Sequence, residues 1–219
     1  MAEKMQHVAT PKQLRAVLIF TIAYILVAAA VIIARRNLEF IIYLFVMAMI
    51  IAATLGVYRR AGLSFPLLCL FSIWGLSHML GGIIHIPGHW HSTDTTAVLY
   101  NWRILPGYLK YDQLVHGFGV GLVTWTCWQA LSHRVCRIGG APLRPTFGLL
   151  ALCATAGMGF GALNEVVEFL AVLILPKTNV GDYENTGWDL VANLVGAATA
   201  AVAIFAVYRH RLRTNPAPS

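Results

Sequence analysis

Charged side chains are scarce in this sequence. Only 11% of the 219 residues are Asp, Glu, Lys or Arg, whereas a soluble domain of ordinary composition has about 25%. Hydrophobic residues make up 58% of the chain. These values exclude an ordinary soluble domain and indicate an integral membrane protein with little mass outside the bilayer.

Cysteine is also rare, and the four cysteines form no CxxC pair. Three of them, Cys69, Cys127 and Cys153, lie within apolar runs, where a free cysteine behaves as a small hydrophobic residue. The sequence therefore predicts neither a disulfide framework nor a cysteine-based metal site.

Basic residues with interleaved aromatics, which would favour nucleic-acid binding, are missing despite a net charge of +7. Lys and Arg instead follow the ends of the apolar runs, and eleven of the sixteen fall on the side that carries both termini. Because positive residues accumulate in cytoplasmic loops, we expect both termini to be cytoplasmic and the protein to be a multi-pass component of the cell inner membrane, with membrane lipid as its surroundings.

Apolar runs long enough to cross a bilayer occupy most of the chain. A transmembrane helix needs about 20 consecutive, mostly apolar residues. Six stretches qualify: residues 14–34, 38–58, 63–86, 111–132, 146–175 and 188–208. We therefore predict an all-α fold, a polytopic helical bundle with six transmembrane helices, built by residues 1–219 as a single membrane domain. Glycines in the last three spans are expected to let those helices pack closely.

The fifth predicted span places two carboxylates in an apolar run. Glu165 and Glu168 are three residues apart, so they share a helix face. Ionisable residues inside a membrane are costly and mark functional sites. Both carboxylates cannot stay ionised there without a counter-charge. The alternatives are a bound cation, a shared proton, or Arg103 or Lys110 from the outer loop before the fourth span.

Polar residues of other spans fall at the same level as these glutamates. Asp112 and His116 are four apart, a spacing that suits a metal-ligand pair or a carboxylate that orients a histidine; the alternative is an acid on the helix dipole beside a packed histidine. The residues predicted to bind a divalent metal (Zn, Mn or Mg) are Asp112, His116, Glu165, Asp189 and His78. Glu168 is predicted to be a further ligand or the catalytic general base.

The longest predicted loop contains the segment HIPGHWH, with His85, His89 and His91. It resembles a zinc-ligand cluster at first sight. Its spacing, however, matches no strong zinc signature, so the sequence does not decide the role of these three histidines.

Four short motifs occur in order along the chain: HxxGG at residues 78–82, YDxxxH at 111–116, NExxEF at 164–169 and GDxxxTxxD at 181–189. In this order they resemble the uncharacterised inner-membrane family typified by YjdF, over about residues 40–205. The last three spans are similar, more distantly, to the VanZ-like family, which is associated with glycopeptide resistance. That likeness implies work on the cell envelope, although this chain has a second glutamate and no arginine just before Asp189.

Three functions fit these features. The first is a metal-dependent enzyme that acts on an envelope lipid or lipid-linked phosphate at the outer leaflet, because so acidic a pocket accepts a phosphate only through a cation. The second is an ion- or proton-coupled transporter, which the scarcity of polar residues in the inner halves of the spans disfavours. The third is a non-catalytic membrane partner protein in which the polar cluster holds helices together.

Overall fold

The computed structural model describes residues 8–36, 38–90, 97–139, 143–176, 178 and 180–214. Six α-helices make up most of this part of the chain. Their bounds are α1 Pro11–Ala34, α2 Leu38–Ala61, α3 Phe65–Ile83, α4 Tyr111–Gly139, α5 Phe147–Ile174 and α6 Tyr183–Thr214. Two short 3-10 helices, Gly88–Trp90 and Leu99–Asn101, and a hairpin of β1 (Arg103–Leu105) and β2 (Leu109–Lys110) join α3 to α4.

Within the described chain, five helices are long and apolar enough to cross a membrane: α1, α2, α3, α5 and α6. Their outward faces expose large apolar side chains such as Ile19, Phe45 and Leu152, as lipid-facing surfaces do. The prediction of an all-helical membrane bundle is confirmed. The sixth span, which would be α4, stays a prediction.

Helix α4 lies at the centre of the bundle, and it is the one long helix of the described chain that is not apolar enough to count as a candidate span. It packs against α5 and α6 on one side and against α2 and α3 on the other, while α1 covers α2 and α3. Because other helices surround it, α4 can carry buried polar residues, among them Gln113, Thr124 and Gln129, that would be costly in contact with lipid.

Small residues bring α4, α5 and α6 into close contact. A Cβ atom added to Gly196 of α6 would lie 1.9 Å from the carbonyl oxygen of Gly117 in α4. A Cβ added to Gly157 of α5 would lie 2.2 Å from Oγ1 of Thr124. The helices can approach this closely only because these positions lack a side chain. Gly159, by contrast, faces open space and contributes nothing to the contact.

Helix α4 extends to Gly139, whereas the sequence predicted a loop from residue 133. The extension is held by buried contacts with the turn between α2 and α3. Gln129 accepts a hydrogen bond from the backbone N–H of Ser64 at 3.0 Å and donates one to its Oγ at 2.9 Å. Nδ1 of His133 lies 2.8 Å from the carbonyl oxygen of Ala61. The C-terminal half of α4 is thus more polar than expected, and these side chains hold a turn together.

The ends of α3 and α6 also differ from prediction. Helix α3 ends at Ile83 and not at residue 86, because the chain pairs with the loop beyond it: Ile86 N–H donates to the Ala97 carbonyl and Leu99 N–H to the Ile84 carbonyl. Helix α6 begins five residues before the predicted Trp188. Asp182 accepts a hydrogen bond from the backbone N–H of Asn185 at 3.0 Å, which satisfies an otherwise unpaired donor of the first turn.

Candidate metal centre

The polar residues of four helices meet at one end of the bundle. Helices α3 and α5 end there, and α4 and α6 begin there. His116 lies in the second turn of α4, Glu165 and Glu168 near the end of α5, and Asp189 in the second turn of α6. Antiparallel packing therefore places side chains that are far apart in sequence at the same depth.

Four side chains at this end are close enough to share one ion. His116, Glu165, Glu168 and Asp189 each offer one nitrogen or oxygen atom, and these atoms lie within 4.8 Å of one another. Ligands of Zn²⁺ sit about 2.0–2.3 Å from the metal, so atoms on opposite sides of an ion are about 4 Å apart. The largest separation among the four atoms, up to 4.8 Å, is close to that spacing.

The imidazole of His116 is placed among three carboxylates. Its Nδ1 lies 3.3 Å from Oε1 of Glu165. Its Nε2 lies 3.6 Å from Oε1 of Glu168 and 3.6 Å from Oδ1 of Asp112. Asp112, a predicted ligand, thus flanks the histidine and does not belong to the group of four.

The burial of these side chains decreases from α6 toward Asp112. Asp189 is 0% exposed, His116 8%, Glu165 10%, Glu168 15% and Asp112 21%. Among the described residues, both carboxylate oxygens of Glu165 and Oδ1 of Asp189 have no hydrogen-bond partner. Burying a carboxylate without a donor or a counter-ion is strongly unfavourable. The oxygens of Glu165 and Asp189 that lack a hydrogen-bond partner could therefore bind a proton or a cation.

Two asparagines orient the carboxylates from behind. Nδ2 of Asn164 donates to Oε1 of Glu168 at 2.7 Å, and Nδ2 of Asn185 donates to Oδ2 of Asp189 at 2.7 Å. Nζ of Lys110 donates to Oδ1 of Asn185 at 3.0 Å, so the lysine reaches the cluster through an amide. The bond of Asn185 to Asp189 depends on the early start of α6.

Asn193 forms a polar floor one helical turn deeper, and the sequence did not predict this role. It follows Asp189 by four residues on α6, as Gly161 precedes Glu165 by four on α5. A Cβ on Gly161 would lie 2.8 Å from Nδ2 of Asn193, so the amide fills the space that the glycine leaves. Asn193 is 0% exposed, and neither amide atom has a hydrogen-bond partner in the described chain.

His78, another predicted ligand, is held by residues outside the group of four. Its ring stacks on Trp74, with centroids 5.6 Å apart, and its Nδ1 lies 2.5 Å from the hydroxyl of Tyr100. Tyr100 belongs to the loop before α4. Burial raises the pKa of Tyr100 well above its ordinary value, and the nearby Asp112 and Glu168 carboxylates act in the same direction, so this hydroxyl keeps its proton.

The loop histidines have other neighbours. Nδ1 of His85 lies 3.2 Å from a guanidinium nitrogen of Arg35, which disfavours a cation at that atom. His89 stands edge-on to Trp90. Neither residue belongs to a metal-binding group among the described residues, and His91 lies outside them.

A comparison with protein families identifies the chain. The model of the family described as "Predicted membrane protein (DUF2238)" matches residues 15–211. The chain belongs to this family. Neither the curated proteins nor the solved structures contained a match.

As a DUF2238 membrane protein, the chain carries an acidic group with one imidazole that could hold a metal. Carboxylate oxygens suit Mg²⁺ and Mn²⁺, while imidazole nitrogen suits Zn²⁺ and other transition metals. A cation at such a site polarises a carbonyl or phosphoryl oxygen, or lowers the pKa of a bound water.

Proposed function

We propose that this protein binds one divalent cation through His116, Glu165, Glu168 and Asp189 and uses it to act on an envelope lipid or a lipid-linked phosphate. The observation that supports this most directly is the meeting of four potential ligand atoms within 4.8 Å, combined with the unpartnered buried oxygens of Glu165 and Asp189.

The charge of the cluster favours a cation over an empty site. With Asp112, four carboxylates surround a single imidazole. Even with His116 protonated and Lys110 linked through Asn185, negative charge remains in excess. Carboxylates this close cannot all ionise without further positive charge. A divalent cation removes the excess and gives the unpartnered oxygens a ligand.

The residues have separate proposed roles. One nitrogen of His116 binds the cation, and the other donates to the flanking carboxylate of Asp112, an arrangement that fixes the ring orientation and raises the basicity of the ligand. Glu168, which Asn164 orients through its Oε1, serves as ligand or as general base toward a water on the cation. An anionic phosphate enters so acidic a pocket by binding to the metal.

A lipid-linked substrate is proposed because apolar surfaces border the site. Phe169, Leu170 and Leu173 lie on the same helix turns as the glutamates and are 60%, 47% and 65% exposed. A lipid in the bilayer can therefore lie beside α5 with its headgroup level with the cluster. The resemblance to YjdF-type and VanZ-like proteins agrees with a place in the cell envelope.

The proposed topology has α4 as a sixth span and both termini in the cytoplasm of an inner-membrane protein. Most Lys and Arg residues then lie on the cytoplasmic side, and the cluster opens near the periplasmic face. This places the site in the outer leaflet.

Metal analysis of the purified protein tests the proposal. After dialysis against Zn²⁺, Mn²⁺ or Mg²⁺, the wild-type chain should retain one cation. Glu165→Gln removes a buried charge with little change in shape, and should lower cation affinity by at least the 10–100-fold that outer-shell changes cause. Glu184→Gln is the matched control, since Glu184 is an exposed glutamate in the first turn of α6. A wild-type chain without bound cation, or a folded Glu165→Gln variant that binds like wild type, would remove the proposal.

A further inference from the structure

Tyr100 makes two contacts with the same histidine of α3. Its hydroxyl lies 2.8 Å from the backbone carbonyl oxygen of His78 and 2.5 Å from Nδ1 of that residue's ring. A hydroxyl has one hydrogen to donate, and a carbonyl oxygen can only accept. The Tyr100 hydrogen therefore belongs to the carbonyl, and the hydroxyl oxygen accepts a hydrogen bond from Nδ1–H. A neutral His78 then carries its lone pair on Nε2.

Two glycines of α3 leave the space that this contact needs. A Cβ on Gly81 would lie 2.5 Å from the Tyr100 ring, so only a glycine leaves room for the tyrosine against α3. A Cβ on Gly82 would lie 1.4 Å from the Phe40 ring. The two glycines of the HxxGG motif thus let aromatic rings reach the helix beside His78. Trp74, stacked on the imidazole, donates to the Val115 carbonyl of α4 at 3.0 Å and fixes the ring relative to that helix.

His78 lies on the face of α3 that packs against α4, since it shares that face with Trp74, which bonds to α4. On α3 it follows Trp74 by one turn, while Trp74 bonds to Val115, the neighbour of His116. His78 therefore lies on α3 within about one helical turn of the level of His116.

We propose that Tyr100 is a positioning residue that holds His78 in the Nδ1–H tautomer, so that Nε2 supplies a second imidazole ligand and makes the site selective for a transition metal such as Zn²⁺ or Mn²⁺ over Mg²⁺. This inference rests on the proposed cation site. Two imidazoles beside three carboxylates suit Zn²⁺ better than Mg²⁺, which prefers oxygen ligands and keeps several waters.

The first test is spectroscopic and needs no activity. Nitrogen-15 NMR of histidine-labelled protein in nanodiscs distinguishes the two tautomers, with His78 assigned from a His78→Phe variant that keeps an aromatic ring on Trp74. We expect wild-type His78 to be protonated at Nδ1 alone and Tyr100→Phe to give a mixture of tautomers. Tyr111→Phe is the control, because Tyr111 touches the Tyr100 ring and donates to the Ser77 carbonyl of the same helix at 3.0 Å. A wild-type His78 protonated at Nε2, or an unchanged spectrum in Tyr100→Phe, overturns the tautomer assignment.

The second test compares cation affinities by competition. His78→Phe should lose Zn²⁺ affinity and leave Mg²⁺ affinity nearly unchanged, and Tyr100→Phe should weaken Zn²⁺ binding about 10–100-fold, the usual effect of losing an outer-shell partner. Tyr111→Phe should bind both ions like wild type. If Glu165→Gln abolishes binding while His78→Phe has no effect, this inference is wrong and the cation site stands. If wild type binds no cation, both fail, whatever the tautomer of His78.

Discussion

Nδ1 of His116 lies 3.3 Å from Oε1 of Glu165, across the contact between α4 and α5. The two residues are 49 positions apart in the sequence, and both are largely buried. The carboxylate oxygen nevertheless has no hydrogen-bond partner in the described chain. The two atoms are close enough to form an ion pair when His116 is protonated, or to bind one cation together.

Asp189→Asn should separate stability from cation binding. The change removes one of several crowded carboxylates and keeps the side-chain volume, so the cation-free protein should unfold at the same or a higher temperature. Its stabilisation by cation should disappear, whereas wild type should gain about 2.7 kcal/mol in free energy of unfolding at a cation concentration of about 100 Kd.

Thermal denaturation with and without Zn²⁺ measures both effects. Asp182→Asn is a suitable comparison, since Asp182 is an exposed acid just before the same helix. An Asp189→Asn variant that Zn²⁺ stabilises as much as wild type would contradict Asp189 as a ligand.

Cation affinity should rise with pH. The ligands must lose their protons before they bind a metal. His116 and the carboxylates within 3.3–3.6 Å of it are the groups that would release them. We expect binding to strengthen as the pH rises, with protons released on binding. Calorimetry in buffers of different ionisation enthalpy measures that release; a pH-independent affinity would argue against this ligand set.

Gly161→Ala should weaken cation binding indirectly. The added methyl group would lie 2.8 Å from Nδ2 of Asn193 and would displace that amide from its position beneath the four predicted ligands. Overpacking of this kind costs about 1–3 kcal/mol, and a few-fold loss of cation affinity should accompany it.

Gly159→Ala on the same helix is the control, because its added Cβ meets nothing within 4 Å. It should be neutral or slightly stabilising, since alanine favours helix over glycine. Equal effects of the two variants would show that Asn193 has no part in the site.

Gln129→Leu should destabilise the bundle without affecting the cation site. Gln129 is 2% exposed and pairs with both the backbone N–H and the hydroxyl of Ser64. Removing it leaves buried polar groups unpaired, at about 1–3 kcal/mol in free energy of unfolding. Because the contact lies at the other end of α4 from His116, cation affinity should not change; a loss measured at equilibrium on the folded variant would indicate coupling along α4.

The helices could be predicted well because a backbone in lipid must form all of its hydrogen bonds internally. Apolar runs such as the one in α5 must satisfy their own N–H and C=O groups, and a helix does so within one segment. The helix ends were predicted less well. The first turn of α6 and the last turns of α4 are polar, and their helical state depends on contacts such as that of Asp182 with Asn185 and of His133 with Ala61.

The candidate site was predictable in part. The spacing of Glu165 and Glu168, and of Asp112 and His116, placed each pair on one helix face. The spacing of Asp189 and Asn193 likewise puts both on one face, but no spacing could show that Tyr100 from a loop would bond to His78, or that Asn193 would fill the space beside Gly161. Contacts between distant segments leave no periodic signal in a single sequence.

The amino-acid sequence by itself determined that this is a membrane protein, and it determined the position of each polar residue along its helix, because a helix has a fixed rise per residue. The tertiary structure decided which of those residues face one another. That choice depends on how far each helix is rotated about its axis, and the rotation is set by close contacts such as Gly117 with Gly196. Because of those contacts, Asp189 faces the other three residues of the group of four, whereas Asp112 lies at the edge of the group.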